Sequence, residues 1–304
     1  MPDDHGRIAP PLAGVTAALV TPLDEQGELD ETAVERLLKR VVDGGVAAVG
    51  PAGSTGEGNR LGWSLRLRLS RLVRSLVPPE IPMVSGVNVT SVRETASELE
   101  HLADAGAAAA LVAPPAFFPA SDAELIGLYE RLAEHSPLPI LLYNIPVFTK
   151  VEFSPIVVAA LADVPGIVGI KDSSRNMEYL QQVLLRTREK AGFTVLTGTD
   201  SLYLPSLMLG VHGAVCASAN LAPSLAVGIH RDFAAGDLTT ALRLQQKLAE
   251  LVAACRVGAF PAGWKAALAI AGVCSPYLAA PAQPLAEPVR TALESRLNEL
   301  GVED

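Results

Sequence analysis

The chain has 304 residues, 49% of them hydrophobic but only 5% aromatic, and a net charge of −9. That hydrophobicity excludes a disordered chain, and the acidic balance argues against a nucleic-acid partner, which needs a basic face for its phosphates. The three cysteines, Cys216, Cys255 and Cys274, have neither CxxC nor Cys/His spacing, so neither a disulfide framework nor a zinc site is expected.

The opening MPDDHGRIAPPLAG is too polar and acidic for a signal peptide, and the chain reads as cytoplasmic. Apolar strand candidates then recur at intervals of roughly 25–35 residues: 15–22, 47–53, 82–87, 107–114, 139–146, 167–173, 194–198 and 213–217. Each is nearly continuous in apolar character, as expected of parallel strands covered on the outside by helices. Amphipathic stretches separate them. ETAVERLLKRVVDGG follows Asp30, an N-cap candidate, and SVRETASELEHLADAG closes on Ala105 and Gly106, a helix C-terminus. Residues 201–229 carry no Asp, Glu, Lys or Arg, but Pro205, Gly210, Gly213, Asn220 and Pro223 cut them into short pieces. A membrane span needs about 20 continuous apolar residues, so no membrane association is expected.

Eight β-then-α units predict an α/β fold, a (β/α)8 TIM barrel over 12–222. A doubly wound sheet is the alternative, but it usually has fewer strands and a glycine-rich first turn. Beyond the barrel, ALRLQQKLAELVAACRVG, GWKAALAIAGV and EPVRTALESRLNEL read as helices. Residues 223–304 are thus expected to form a C-terminal helical extension within a single domain, 1–304.

Active sites in such barrels sit at the C-terminal ends of the strands. Those ends carry GSTGE at 53–57, YNIP at 143–146, Lys171 with Asp172, and Gly198-Thr199-Asp200. Of six lysines, Lys39, Lys150, Lys190, Lys247 and Lys265 fall in helices or loops, where a solvated ammonium is the ordinary expectation. Lys171 instead follows GIVGI in a buried strand. Lysine is almost never fully buried unless paired. Bringing an amine from about 10.4 to near pH 7 by desolvation costs about 4 kcal/mol. The main use of such a site is an amine nucleophile that forms a Schiff base, and the other reading is a salt bridge to a barrel carboxylate. GSTGE is either a plain turn or part of an anion cradle. Walker and GxGxxG patterns are absent, which sets nucleotides aside. Tyr143 is either a core aromatic or a proton relay beside the lysine. His5, His101, His135 and His230 lie in the N-terminus or in helices, and His212 precedes a strand, so no metal and no cofactor are expected.

Together, GSTGE after strand two, YNIP after strand five and GIKDSS in strand six resemble the dihydrodipicolinate synthase / N-acetylneuraminate lyase family of class I, pyruvate-dependent aldolases. The similarity runs from GVTAALVTPL to the WKAAL helix. It implies a barrel with a C-terminal helical extension, assembled as a homotetramer or homodimer. It also implies a metal-independent lyase whose lysine forms a Schiff base with pyruvate, or with the pyruvate moiety of a longer 2-oxo acid, and whose other partner is an aldehyde. By position, the resemblance makes Lys171 the Schiff-base lysine and Tyr143 the proton relay. Ser54 and Thr55 would hold the pyruvate carboxylate, Thr55 would also link to Tyr143, and the carbonyl of Val215 would border the imine.

The departures are as informative. Phe148 stands where dihydrodipicolinate synthase has the arginine that binds its acidic second substrate, and Phe117 where a neighbouring subunit supplies the relay tyrosine. Ser173, Gly198 and Asp200 match the part of the sialic acid lyase site that meets the sugar chain, but Ser201 replaces an acidic residue and Ala217 a serine. The expected mouth is less polar than either relative's, with Phe117, Phe118 and Phe148 contributing. The implied activity is aldol cleavage, condensation or dehydration of a 2-oxo acid. The alternatives are a 4-hydroxy-tetrahydrodipicolinate synthase, condensing pyruvate with aspartate semialdehyde, and a pyruvate-binding relative without turnover.

Overall fold

In the computed structural model, which describes residues 12–301, strands and helices alternate from the start. The order is β1 (Gly14–Ala18), α1 (Glu31–Asp43), β2 (Ala48–Gly50), α2 (Trp63–Leu76), β3 (Val84–Asn88), α3 (Val92–Asp104), β4 (Ala109–Ala113) and α4 (Asp122–His135). There follow β5 (Ile140–Asn144), α5 (Pro146–Thr149), α6 (Pro155–Leu161), β6 (Ile167–Asp172), α7 (Met177–Thr187), β7 (Thr194–Thr197), α8 (Tyr203–Leu209) and β8 (Gly213–Cys216). Four helices complete the chain: α9 (Pro223–Ala234), α10 (Leu238–Cys255), α11 (Ala262–Ile270) and α12 (Glu287–Glu299). All strand pairs are parallel, in the order β2-β1-β8-β7-β6-β5-β4-β3. A parallel bridge between Val49 and Met83 joins the two ends, so the sheet is a nearly closed (β/α)8 barrel, as the alternation predicts.

Local chemistry sets the element limits. Asp30 caps α1 by accepting from the Ala33 N–H, Ser91 and Asn176 cap α3 and α7 in the same way, and Ser121 with Glu124 forms a capping box on α4. Gly106, at φ +83°, takes the left-handed position just past α3. Two strands stop sooner than the apolar runs suggest. Beyond β1 the Val20 N–H donates to the side chain of Asn220 instead of to the ladder. Beyond β2, Pro51 has no N–H to offer and Ala52 turns at φ +58°.

Alternation along the strands makes two apolar layers. Val84, Leu111, Leu141, Leu196 and Val215 pack inside the barrel, while Val112, Leu142, Ile170 and Val195 pack outward against helix residues such as Leu99, Leu132 and Val183. Each such side chain contributes about 1.5–3 kcal/mol on full burial. Helix α9, which opens the stretch assigned to the extension, packs against β1 and α10. Helix α10 is tied to the barrel by buried Gln245, whose Oε1 accepts from the Leu204 N–H and whose Nε2 donates to the Asp200 carbonyl. Among the described residues no helix is long and apolar enough to cross a membrane.

Candidate active site

The register of β5 and β6 pairs Tyr143 with Lys171 and Asn144 with Asp172. Because successive side chains alternate faces, the first pair points into the barrel mouth and the second outward, under the helices. The outward pair is structural. Asn144 Nδ2 donates to Asp172 Oδ1 at 2.8 Å, and its Oδ1 accepts from the Phe153 N–H. Asp172 also accepts from the backbone and hydroxyl of Ser174. Burial pushes the Asp172 carboxyl above its ordinary value, against the pull of these hydrogen bonds.

The inward pair faces the cavity. Lys171 is only 4% exposed, and its Nζ lies 4.1 Å from the centroid of the Tyr143 ring. Among the described residues it has no carboxylate within ion-pair distance, so the salt-bridge reading of this lysine fails. Space for its side chain comes from the neighbouring strand end. A Cβ on Gly198 would stand 2.0 Å from Ser173 Oγ and 2.6 Å from Lys171 Cε. Below it on the same face, a Cβ on Gly169 would stand 2.2 Å from the Thr194 carbonyl oxygen. Burial raises the pKa of the nearby Cys216 thiol, with Lys171 pulling the other way.

The Tyr143 hydroxyl is 2.7 Å from Ser54 Oγ. The expected link runs through Thr55, so the partner is corrected by one residue. The loop that presents both is tightly wound: Ala52 and Glu57 have φ near +58° and +57°, and a Cβ on Gly58 would meet the Ala52 carbonyl oxygen at 1.9 Å. Glu57 then fastens the loop to the end of the chain. It forms an ion pair with Lys265 of α11 at 2.8 Å, both side chains fully buried, and accepts from the Ala279 N–H. Lys265 is therefore not the surface lysine expected from its helix. Burial draws its pKa down and the Glu57 charge opposes that.

A cavity of about 890 Å³, its open mouth included, gathers Ser54, Thr55, Tyr143, Lys171, Ser173, Gly198, Asp200 and Val215, with Phe148 on its wall. Phe117 is not among its lining residues. It is 85% exposed and packs edge-on against Phe118 at a centroid distance of 4.9 Å. Phe148 pairs instead with Phe260 at 5.8 Å, and both also line a neighbouring recess of about 990 Å³ that contains Asn59, Arg60 and Asn88. Two residues that sequence reasoning missed, Arg175 and Arg256, line the main cavity. The mouth is thus more cationic than three phenylalanines suggest. The signal was present for Arg175, which follows strand six by three residues. For Arg256 it was not, because the end of α10 reaches the site only through tertiary docking. Among the described residues no cluster of three or more His, Cys, Asp or Glu is placed to hold a metal ion.

The model of the dihydrodipicolinate synthetase family matches residues 11–300. An uncharacterised DapA-like lyase of Halobacterium salinarum is 36% identical over 96% of this chain and 95% of its own. The 4-hydroxy-tetrahydrodipicolinate synthase of Methanothrix thermoacetophila is 33% identical over 94% and 96%. Among solved structures, dihydrodipicolinate synthase from Bacteroides thetaiotaomicron superposes with a TM-score of 0.91 at 34% identity, covering 96% of this chain and 100% of that one. The Escherichia coli K12 prophage protein YagE, solved in complex with pyruvate, gives 0.92 at 30% identity, covering 96% and 99%. A monomeric dihydrodipicolinate synthase variant gives 0.92 at 29%, covering 96% and 97%. The chain belongs to the dihydrodipicolinate synthetase family.

Proposed function

We propose that this member of the dihydrodipicolinate synthetase family is a class I lyase that forms a Schiff base through Lys171 with pyruvate or a pyruvate-derived 2-oxo acid. The observation that carries the reading is a buried lysine with no acid partner, lying over a tyrosine whose hydroxyl is bonded to Ser54. The amine of Lys171 adds to the C2 carbonyl, and loss of water leaves an iminium. When the C3–C4 bond breaks, its electron pair flows into the iminium to give an enamine, and the C4 hydroxyl loses its proton as the aldehyde departs. Protonation at C3 and hydrolysis then release pyruvate and restore the amine. Tyr143, beside the reacting nitrogen, moves these protons with Ser54 as its partner.

The carboxylate would sit on the GSTGE loop. Among the described residues no acceptor engages the backbone N–H groups of Ser54 and Thr55, and the Thr55 hydroxyl makes no hydrogen bond there. Backbone N–H groups left without an acceptor suit an anion. Val215, Ser173, Gly198 and Asp200 border the rest of the substrate. The iminium itself is the electron sink, so this route needs no metal. YagE, solved in complex with pyruvate, supports pyruvate as a ligand of this site. Three buried cysteines without disulfides suit a reducing compartment such as the cytoplasm. The exposed Phe117–Phe118 pair supports a homodimer or homotetramer.

A second reading, synthesis of 4-hydroxy-tetrahydrodipicolinate, is favoured by the relatives so named. The test measures pyruvate release from a panel of 4-hydroxy-2-oxo acids and, separately, condensation of pyruvate with aspartate semialdehyde. Release by the wild type and its loss in Lys171→Ala support lyase action. Condensation without release supports the synthase, and neither reaction would leave only pyruvate binding.

A further inference from the structure

The cavity wall carries two guanidinium groups that the reaction just described does not use. Arg175 comes from the loop between β6 and α7, and Arg256 from the residue that follows α10, so separate elements bring them to one mouth. Both are exposed there. Among the described residues neither forms an ion pair, and the one hydrogen bond that either guanidinium makes is a 3.5 Å contact from Arg256 Nη2 to Ser201 Oγ. The carboxylate lining the same cavity, Asp200, is already engaged, its Oδ1 accepting from the Ser218 N–H at 2.8 Å. Burial and the charge of Arg175 draw the Arg256 pKa down, with Asp200 opposing. The Arg175 backbone sits at φ +63°, in the left-handed region. The same wall is partly apolar, with Phe148, Val252, Phe260 and Trp264.

We propose that Arg175 and Arg256 recognise an oxyanion, a carboxylate or a phosphate, at the end of the substrate remote from the Schiff-base carbon. The proposal rests on the Schiff-base reading and names the substrate class that reading leaves open: 4-hydroxy-2-oxo acids, and the aldehydes they yield, with an anionic tail. Guanidinium forks suit both oxyanions, since parallel N–H groups meet two oxygens at once. An anion between them would also remove their mutual repulsion.

The experiment compares 4-hydroxy-2-oxo acids of matched chain length that end in a carboxylate, a phosphate ester or a neutral hydroxyl, with pyruvate release as the readout. The wild type is expected to favour one or both anionic substrates by tenfold or more in kcat/KM over the neutral one. The carboxylate and phosphate arms identify which. That preference is expected to fall at least tenfold in Arg175→Ala and in Arg256→Ala, through KM, and to return in part in Arg256→Lys. Thermal midpoints report that the variants fold. Equal use of neutral and anionic substrates by the wild type, or a preference unchanged in both alanine variants, overturns the proposal. Borohydride trapping of pyruvate on the wild type is run in parallel. An adduct without anion preference rejects this inference alone, whereas no adduct rejects the Schiff-base reading and this inference with it.

Discussion

A single step along a parallel strand reverses the face a side chain occupies, and the ends of β5 and β6 use that step to separate two jobs. Tyr143 and Lys171 face the cavity, and Asn144 and Asp172, each one residue on, lock the strand ends beneath the helices. Lys171 is legible in the sequence because it interrupts a buried apolar run. The partner of Tyr143 is not, because Ser54 and Thr55 differ in role only through the winding of their loop. Tyr143→Phe keeps the ring under Lys171 but removes the hydroxyl that meets Ser54. We expect kcat to fall by about 10²- to 10⁴-fold with little change in thermal midpoint, the range that a positioned acid–base group supplies. An unaltered kcat would assign the relay elsewhere. Gly198 was legible as a strand end but not as a spacer. Gly198→Ala puts a methyl against Ser173 Oγ and Lys171 Cε. The expected result is adduct formation with pyruvate slowed tenfold or more, with about 1–3 kcal/mol lost to overpacking. Wild-type trapping rates in that variant would contradict the crowding argument.

Between elements, the contact of most consequence is the Glu57–Lys265 pair, which ties the loop after β2 to α11. Nothing in GSTGE or WKAAL announces it. Each motif reads as ordinary in its own segment, and only folding brings together residues more than 200 positions apart. With both side chains fully buried, removing one partner leaves the other charge uncompensated. Glu57→Gln is expected to cost about 3–5 kcal/mol in urea denaturation and to weaken pyruvate binding, since Ser54 and Thr55 ride on the same loop. Adding Lys265→Met to that variant should recover part of the stability. If Glu57→Gln unfolds at the wild-type midpoint, the pair is no anchor. Helix α10 makes a similar point. Its span was readable from its amphipathic pattern, but Gln245 decides how it docks and so where Arg256 lies.

Across the whole molecule, eight nearly continuous apolar strands made the barrel legible, because burial on both faces leaves no polar alternation to confuse the reading. Closure through Val49 and Met83 and the cationic mouth depend on three-dimensional juxtaposition and were not. Two half-buried histidines contribute a pH dependence with a definite sign. His212 and His230 are both drawn below the ordinary value of 6.5 by burial. Between their folded values and 6.5 these two groups bind more protons in the unfolded chain than in the folded one, so their contribution to stability rises with pH across that window and is lost on acidification. From pH 5 to pH 7 the urea midpoint of the wild type should therefore change more favourably than that of His230→Gln. An identical change with pH in the two proteins would contradict the assignment. The proposed chemistry turns on one amine. Incubation of the folded protein with pyruvate and borohydride, followed by peptide mass analysis, is predicted to find a reduced three-carbon adduct on Lys171 and none in Lys171→Arg. An adduct on another lysine, or none on the folded wild type, would contradict it.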